Sequence, residues 1–174
     1  MTRLPVESLS VSLPRGADRA NAIENVSLSV AAGEILCVVG ESGSGKSVIA
    51  SNLAVLLAQR SEKPVVLVDA DLQFGDVAVM LKLTPQHTIV DAVSSLDRMD
   101  ATMLRELLVE HQPEGLLVLP APLEPAFADQ IGASEMVRIV ETRPPTSTTW
   151  SSGSSRSATT CSSSPAWTSR TSRT

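Results

Sequence analysis

A glycine-rich run, GESGSGKS at residues 40–47, is the segment whose residue types and spacing best suit a chemical task. It fits the pattern G-x-x-x-x-G-K-[ST] without a mismatch. Its glycines let the backbone curl until consecutive N–H groups converge on phosphate oxygens, and the following helix turns its positive end toward the same anion. The lysine suits the outer phosphates of a nucleotide, and the hydroxyl of the last serine suits Mg²⁺. The predicted nucleotide-binding residues are Gly40, Ser42, Gly43, Ser44, Gly45, Lys46, Ser47 and Val48, with Ser47 also a metal ligand.

Two carboxylates follow the next strongly apolar run, PVVLVDA at residues 64–70. This run predicts a buried strand, so Asp69 and Asp71 should lie at its carboxyl end. Open α/β sheets bind their ligands at that end of the strands. Ordinary loop carboxylates at the end of a strand are the alternative interpretation of this pair.

The elements that must position these residues alternate between strands and helices. Such alternation is typical of a parallel sheet covered on both faces. We therefore predict an α/β fold: a P-loop NTPase-like three-layer sandwich with a mainly parallel, incomplete sheet and additional N-terminal antiparallel strands. Predicted strands are VESLSVSL (6–13), ENVSLSV (24–30), EILCVV (34–39), PVVLVDA and EGLLVLPAP (114–122). Predicted helices are KSVIASNLAVLLAQR (46–60), TIVDAVSSL (88–96), DATMLRELLVEH (100–111, with Asp100 as its cap) and ASEMVRIVE (133–141).

The last 29 residues differ in character from the rest, because 19 of them are Ser or Thr. Such a segment has too few aliphatic side chains to offset the entropy cost of folding. We predict a P-loop domain over residues 1–145 and a disordered tail over residues 146–174.

The overall composition favours a cytoplasmic protein. The net charge of -5 gives no sign of a nucleic-acid-binding surface. No apolar stretch approaches the roughly 20 residues that a membrane span needs. The two cysteines do not form a disulfide framework, and Cys37, within an apolar run, is predicted to be a small buried thiol.

Residues 1 to about 48 resemble the start of ATP-binding subunits of oligopeptide and dipeptide ABC transporters. The resemblance is carried by LSVSLP, by AIENVSLSVAAGEILCVVGESGSGKS, and above all by the Glu41-Ser42-Gly43-Ser44 filling of the loop. It implies an antiparallel N-terminal subdomain and ATP as the nucleotide. The chain departs from that family in having no LSGGQ-type signature and no aromatic residue before Phe74.

Residues from about 49 to 141 resemble MinD/ParA-type ATPases, and among them the CpaE/TadZ family that positions Flp pilus assembly. The resemblance is carried by IASNLAVLLAQRSEKPVVLVDADLQFGDVAVMLKL and by the later segments TIVDAV, LVLPAPLEPAFADQI and EMVRIVE. It implies that Asp71 orients the attacking water, so that Lys46 and Asp71 are the catalytic residues. It also implies that Asp69 lies near Mg²⁺ and the loop lysine, and that the partners are a second copy of the chain or pilus and secretion proteins.

Two departures from the MinD-type pattern bear on catalysis. Loops of that type begin K-G-G, and the first lysine reaches the nucleotide of the partner subunit, whereas this chain has Glu41 there. The later apolar strand ending in D-T-P, which supplies an aspartate for Mg²⁺, is also missing. We therefore predict weak nucleotide binding, with hydrolysis near background.

The Ser/Thr-rich tail has an explanation in the genetic code. Read one nucleotide out of register, residues 147–173 can become FNDVVLGLIEERDDVLLVAGMDIPNIK, which resembles the next segment of the MinD-type family. The hypothesis is a frameshift near residues 141–147, which the coding DNA would test.

Three functions remain open from the sequence. The leading one is an ATP-binding P-loop protein of MinD/ParA type that positions pilus or secretion machinery. The first alternative is a fragment of an ATP-binding subunit of an ABC peptide transporter. The second is an inactive chimeric nucleotide-binding fragment.

Overall fold

The computed structural model of the protein describes residues 3–13, 15–17, 20–31, 33–41, 43–142 and 148–154. The strands are β1 Arg3–Ser12, β2 Asn21–Ala31, β3 Ile35–Gly40, β4 Val65–Ala70, β5 Val109–His111, β6 Leu116–Leu119 and β7 Thr148–Ser154. The α-helices are α1 Lys46–Arg60, α2 Val77–Met80, α3 Ile89–Ser94, α4 Ala101–Leu107 and α5 Ala133–Thr142, and 3₁₀ turns cover Leu96–Arg98 and Pro125–Gln130.

The main sheet has five strands in the order β3-β7-β4-β6-β5. The first four strands of this order are parallel, and only β5 runs antiparallel to its neighbour β6. The prediction of a mainly parallel sheet is confirmed. Parallel order places the carboxyl ends of β3, β4 and β6 at one edge, where the phosphate loop and both predicted carboxylates emerge.

The central strand β4 shows why the sheet has helices on both faces. The first four residues of this strand are all buried, and their side chains alternate between two separate cores. Val65 and Leu67 pack with α1, whereas Val66 and Val68 pack with α3, α4 and α5. Because successive side chains of a strand point to opposite faces, a continuous apolar run is what a doubly covered strand requires. The predicted three-layer α/β fold is confirmed.

The N-terminal strands form a separate two-stranded antiparallel sheet, as predicted. Its buried side chains include Val6 of β1 and Val30 of β2, which join the core that contains Leu53 of α1. The hairpin therefore covers part of the helix that follows the phosphate loop. No helix in the described ranges has both the length and the apolarity that crossing a membrane requires.

Helix ends follow local capping rules. Asp100 was predicted to cap α4, and its Oδ1 accepts a hydrogen bond of 2.8 Å from the Met103 N–H. At α3, Thr88 and Asp91 form a reciprocal capping box. Both caps are encoded within a few residues of the helix that they stabilise.

Three expectations differ from the structure. The helix predicted over residues 100–111 ends at Leu107, because residues 109–111 pair with β6 as a strand. Cys37 is exposed rather than buried, since the side chains that β3 turns toward the α1 core are those of Leu36 and Val38. Residues 148–154, placed in the disordered tail by composition, form β7 between β3 and β4. The remainder of that predicted tail, residues 155–174, lies outside the described residues.

The first turn of α5 predicts a pH-dependent contribution to stability. Hydrogen bonds from the backbone N–H of Glu135 and from the Ser134 hydroxyl, with a further one from the Gly132 N–H, lower the pKa of the Glu135 carboxyl below 4.5. A depressed folded-state pKa stabilises the fold above the unfolded-state value, and that contribution is lost as the pH falls through the folded-state pKa. We expect Glu135→Gln to reduce the free energy of unfolding at neutral pH, with the difference from wild type shrinking below pH 4.5. Urea denaturation at several pH values measures it. Glu106→Gln, at an exposed position of α4, is the matched control; equal pH profiles for the two variants would contradict the prediction.

Candidate nucleotide-binding site

The phosphate loop connects the end of β3 to the start of α1, as its sequence pattern predicts. Gly43 and Gly45 have φ values of 79° and 83°, in the left-handed region that favours glycine. A Cβ on Gly40 would overlap the Ser44 Oγ, so the loop closes tightly over this position. The Ser44 N–H donates to the Glu41 carbonyl at 3.1 Å. The glycines are therefore required by backbone conformation and by space.

Helix α1 begins directly at the loop. Gly45 is its N-cap, and the Ile49 N–H donates to the Gly45 carbonyl at 2.9 Å. Ser47 and Val48 are partly buried in the first turn. The described members of the predicted set, namely Gly40, Gly43, Ser44, Gly45, Lys46, Ser47 and Val48, thus lie in one strand–loop–helix unit. Ser42 lies outside the described residues.

Lys46 and Asp71 form the closest charged contact of the site. The Lys46 Nζ lies 2.9 Å from the Asp71 Oδ2, and the two side chains are only 8% and 9% exposed. This ion pair connects the start of α1 to the segment after β4. It brings together the two residues that the sequence analysis named as catalytic.

Asp69 is more deeply buried, at 1% exposure, and its carboxylate accepts backbone hydrogen bonds. Its Oδ1 accepts from the Asp71 N–H at 3.2 Å, and its Oδ2 accepts from the Val77 N–H at 3.3 Å. The carboxylate therefore spans the segment between β4 and α2. For Asp69, this arrangement fits the alternative interpretation of a loop carboxylate at the end of a strand.

Strand β7 lies directly beside the loop strand. Its Ser154 pairs with Gly40 of β3, and its Gly153 pairs with both Val39 of β3 and Ala70 of β4. The ligand-binding edge of the sheet therefore has, between β3 and β4, a strand of sequence TTWSSGS. The sequence of this strand contains neither Asp nor Glu.

Two features near the loop were missed by the sequence analysis. A Cβ on Gly75 would overlap the Ala121 Cβ and lie 2.7 Å from the Asp69 Oδ2. A Cβ on Gly45 would lie 3.6 Å from the Ala22 carbonyl oxygen, so the N-terminal hairpin approaches the loop. In the sequence, the only sign of the close packing at Gly75 is an isolated glycine in the segment after the two aspartates. No sequence pattern indicates that the N-terminal hairpin approaches the phosphate loop.

The oxygen donors at this edge of the sheet suit Mg²⁺. The hydroxyl of Ser47 and the carboxylate of Asp71 are hard donors of the kind that Mg²⁺ prefers. Within the described ranges, no group of three or more His, Cys, Asp or Glu side chains could hold a metal ion. That is compatible with Mg²⁺, which is usually held by one or two protein groups together with nucleotide phosphates.

A phosphate loop between a strand of the main sheet and a helix, with its lysine paired to a carboxylate in the segment after a parallel strand of the same sheet, defines a P-loop nucleotide-binding domain. Residues 35–143 match the family described as the CobQ/CobB/MinD/ParA nucleotide binding domain. The match covers more than half of the chain. The chain belongs to this family of P-loop ATPases.

Solved structures show the same fold. The crystal structure of a ParA family ATPase from Chlorobium tepidum TLS aligns with a TM-score of 0.62 and 25% identity, over 71% of this chain and 53% of that one. The cell division ATPase MinD of Pyrococcus furiosus aligns with a TM-score of 0.56 and 20% identity, over 68% of this chain and 49% of that one. The chain therefore spans about half the length of these two structures.

Curated relatives of another kind match over shorter segments. The uncharacterized ABC transporter ATP-binding protein YejF of Escherichia coli strain K12 is 41% identical over 73 residues, which are 42% of this chain and 13% of YejF. The glutathione import ATP-binding protein GsiA of the same strain is 46% identical over 56 residues, which are 32% of this chain and 9% of GsiA. The chain spans only a small part of the length of these relatives.

Proposed function

We propose that this chain binds ATP together with Mg²⁺ through the loop at residues 40–47, and that its ATP hydrolysis is near background. The observation that carries the proposal is the buried Lys46–Asp71 ion pair beside the phosphate loop. A lysine at this position can meet the outer phosphates, and the MinD/ParA-type resemblance implies that Asp71 would orient the attacking water. Loop N–H groups and the start of α1 would supply the remaining phosphate contacts.

Nucleotide-dependent thermal stabilisation tests the binding half of the proposal. A ligand that binds only the folded chain stabilises it by about 2.7 kcal/mol at one hundred times its dissociation constant. We expect the midpoint of unfolding to rise with ATP and Mg²⁺. Adenosine with Mg²⁺ is the matched control, because it lacks the phosphates that the loop would bind. Equal shifts with ATP and adenosine would contradict binding through the phosphate loop.

Slow hydrolysis follows from the charges around the loop. Glu41 is exposed where MinD-type loops have the lysine that reaches the partner's nucleotide, and a carboxylate there repels phosphates. The strand beside the loop, β7, has no carboxylate to complete the surroundings of Mg²⁺. The catalytic set would then lack both cross-subunit activation and one metal-binding aspartate.

We expect ATP turnover by the purified chain to be indistinguishable from that of Lys46→Ala. Phosphate release measured with saturating ATP and Mg²⁺ provides the comparison. Intact phosphoryl-transfer enzymes such as kinases work at about 1–100 s⁻¹. Turnover in that range, abolished by Lys46→Ala, would show that the chain is a competent ATPase.

The proposal also includes a cellular role in the positioning of a pilus or secretion assembly. Residues from about 49 to 141 resemble ATPases that position Flp pilus machinery, and the family match supports their MinD/ParA type. We propose that the chain acts in the cytoplasm on a pilus or secretion assembly, either alone or as a homodimer. A fluorescent fusion should form foci that depend on pilus genes. Foci unchanged in a pilus-deletion strain would contradict this role.

A second candidate function is supported by the ABC-type relatives. Their identity of 41% and 46% over short segments favours an origin of part of this chain in an importer subunit. Co-purification with a permease would support this candidate. An inactive nucleotide-binding fragment is the third, and it predicts a thermal shift with ATP but neither turnover nor a cellular phenotype.

A further inference from the structure

We propose that Asp69 is a positioning residue that acts together with Gly75 to hold Asp71 on Lys46, and that it is not a metal ligand. The inference deepens the proposed function and rests on it in one respect, namely that Lys46 meets the nucleotide phosphates. It replaces the role near Mg²⁺ that family resemblance implies for Asp69.

The first support is that one carboxylate holds both ends of a short segment. Asp69 accepts from the Asp71 N–H through one oxygen and from the Val77 N–H through the other, at 3.2 and 3.3 Å. Both bonds are buried, where losing an acceptor leaves a backbone N–H without its partner at substantial cost. Asp69 therefore fixes residues 71–77 as a closed loop.

The second support is the space around Gly75, inside the same loop. A Cβ there would overlap the Ala121 Cβ, lie 2.7 Å from the Asp69 Oδ2 and lie 3.0 Å from the Asp71 carbonyl oxygen. Two of these three neighbours are backbone or short, rigid groups that cannot move aside cheaply. Gly75 thus lets the loop close onto Asp69 and onto the segment after β6.

The consequence falls on Asp71. Its backbone N–H is fixed by Asp69, and its side chain reaches the Lys46 Nζ at 2.9 Å. Releasing the loop from Asp69 would free the backbone on which that side chain is carried. The ion pair between Lys46 of α1 and Asp71, which follows β4, therefore depends on Asp69 as well as on its two charged members.

Metal ligation would need Asp69 to act differently. Both of its oxygens already accept N–H donors, and the side chain is 1% exposed. Ligation would require Mg²⁺ to reach a carboxylate that is 1% exposed and to share oxygens that hold the two bonds that shape the loop. The Ser47 hydroxyl could meet the metal without disturbing either bond.

Double-mutant cycles between positions 46 and 71 in the nucleotide-free chain provide the test. The cycle uses Lys46→Ala and Asp71→Asn and reports their coupling from urea denaturation. We expect the coupling between positions 46 and 71 to be largely lost in an Asp69→Asn background. Asparagine keeps the shape of the side chain and one acceptor oxygen, but it replaces the other oxygen with an NH₂ group. A merely structural role would lower the stability of all variants equally and leave the coupling unchanged, which would overturn the proposal.

Gly75→Ala is the second, independent variant. We expect it to reduce the coupling as Asp69→Asn does, and adding Ala121→Gly should restore part of it by making room for the new methyl group. Gln73→Ala, at an exposed position of the same loop, is the matched control and should leave the coupling intact. If Asp69→Asn fails to fold, Gly75→Ala decides the outcome, and intact coupling in that variant would also overturn the proposal.

The metal-ligand alternative has its own readout. If Asp69 bound Mg²⁺, Asp69→Asn would weaken ATP binding only when Mg²⁺ is present. A positioning role predicts the same fold loss of affinity with Mg²⁺ and with EDTA, so a loss confined to Mg²⁺ would overturn the proposal. Absence of ATP binding in the wild-type chain would instead count against the proposed function, while the nucleotide-free cycle would still decide the role of Asp69.

Discussion

Replacing Lys46 with alanine is expected to abolish the thermal stabilisation by ATP and to destabilise the nucleotide-free chain as well. The first effect follows because the phosphate loop would lose the cation that meets the outer phosphates. The second follows because Asp71 would be left as a buried carboxylate without its partner, which lies 2.9 Å away in the folded chain. Breaking one side of a buried ion pair typically costs about 3–5 kcal/mol.

Two further variants separate these effects. The double variant Lys46→Ala/Asp71→Asn should recover much of the free energy of unfolding, because the neutral amide leaves no uncompensated charge. It should still show no stabilisation by ATP. Lys63→Ala, which removes an exposed lysine, is the matched control and should change neither property. Differential scanning fluorimetry and urea denaturation measure the two effects. A normal ATP shift in Lys46→Ala would contradict the proposed site.

Replacing Leu67 with alanine is expected to be the most damaging change in the core. Leu67 lies on the central strand β4, is 0% exposed, and packs in the cluster that contains Leu53 and Leu57 of α1. Removing a buried leucine costs about 2–5 kcal/mol, because apolar burial is lost and a cavity remains. A loss of this size would also loosen the strand that carries Asp69, since β4 ends at Ala70.

The control for this prediction is Leu123→Ala. Leu123 is 70% exposed, so the same chemical change should alter the free energy of unfolding by no more than about 0.5 kcal/mol. Equal losses at positions 67 and 123, measured by urea denaturation, would mean that this face of β4 is not packed against α1. Should Leu67→Ala be insoluble, Leu67→Val provides a milder form of the same test.

Strands β3 and β5 differ in part from what their sequences predict. The apolar run before the loop correctly predicted a strand, but the prediction that Cys37 within it is buried was wrong. Leu36 and Val38 face the α1 core, whereas Cys37 is exposed. Residues 109–111 continue a helical pattern in the sequence, yet they form a strand because β6 offers them backbone partners. Local preference is weak enough for such tertiary contacts to override it.

In the tail, tertiary contacts override the local sequence pattern over a longer segment. Composition predicted disorder for residues 146–174, and no side-chain pattern marks residues 148–154 as a strand. The structure nevertheless pairs them with both β3 and β4. Backbone hydrogen bonds to two neighbouring strands are available to any residue except proline, so a seven-residue strand can form without a hydrophobic pattern.

The sequence by itself determined the phosphate loop, the helix that follows it, the buried strand β4 and the caps of α3 and α4. Each depends on residues close together in the chain: glycines with positive φ, a capping side chain, or an unbroken apolar run. Only the tertiary structure decided that Asp71 pairs with Lys46, that Asp69 accepts the N–H groups on both sides of its loop, and that Gly75 must lack a side chain because Ala121 lies against it. The contacts of Lys46 with Asp71 and of Gly75 with Ala121 join segments that are distant in sequence, and their partners are set by the order of the strands in the sheet. The two Asp69 hydrogen bonds span only two and eight residues, and they depend on how the loop after β4 closes.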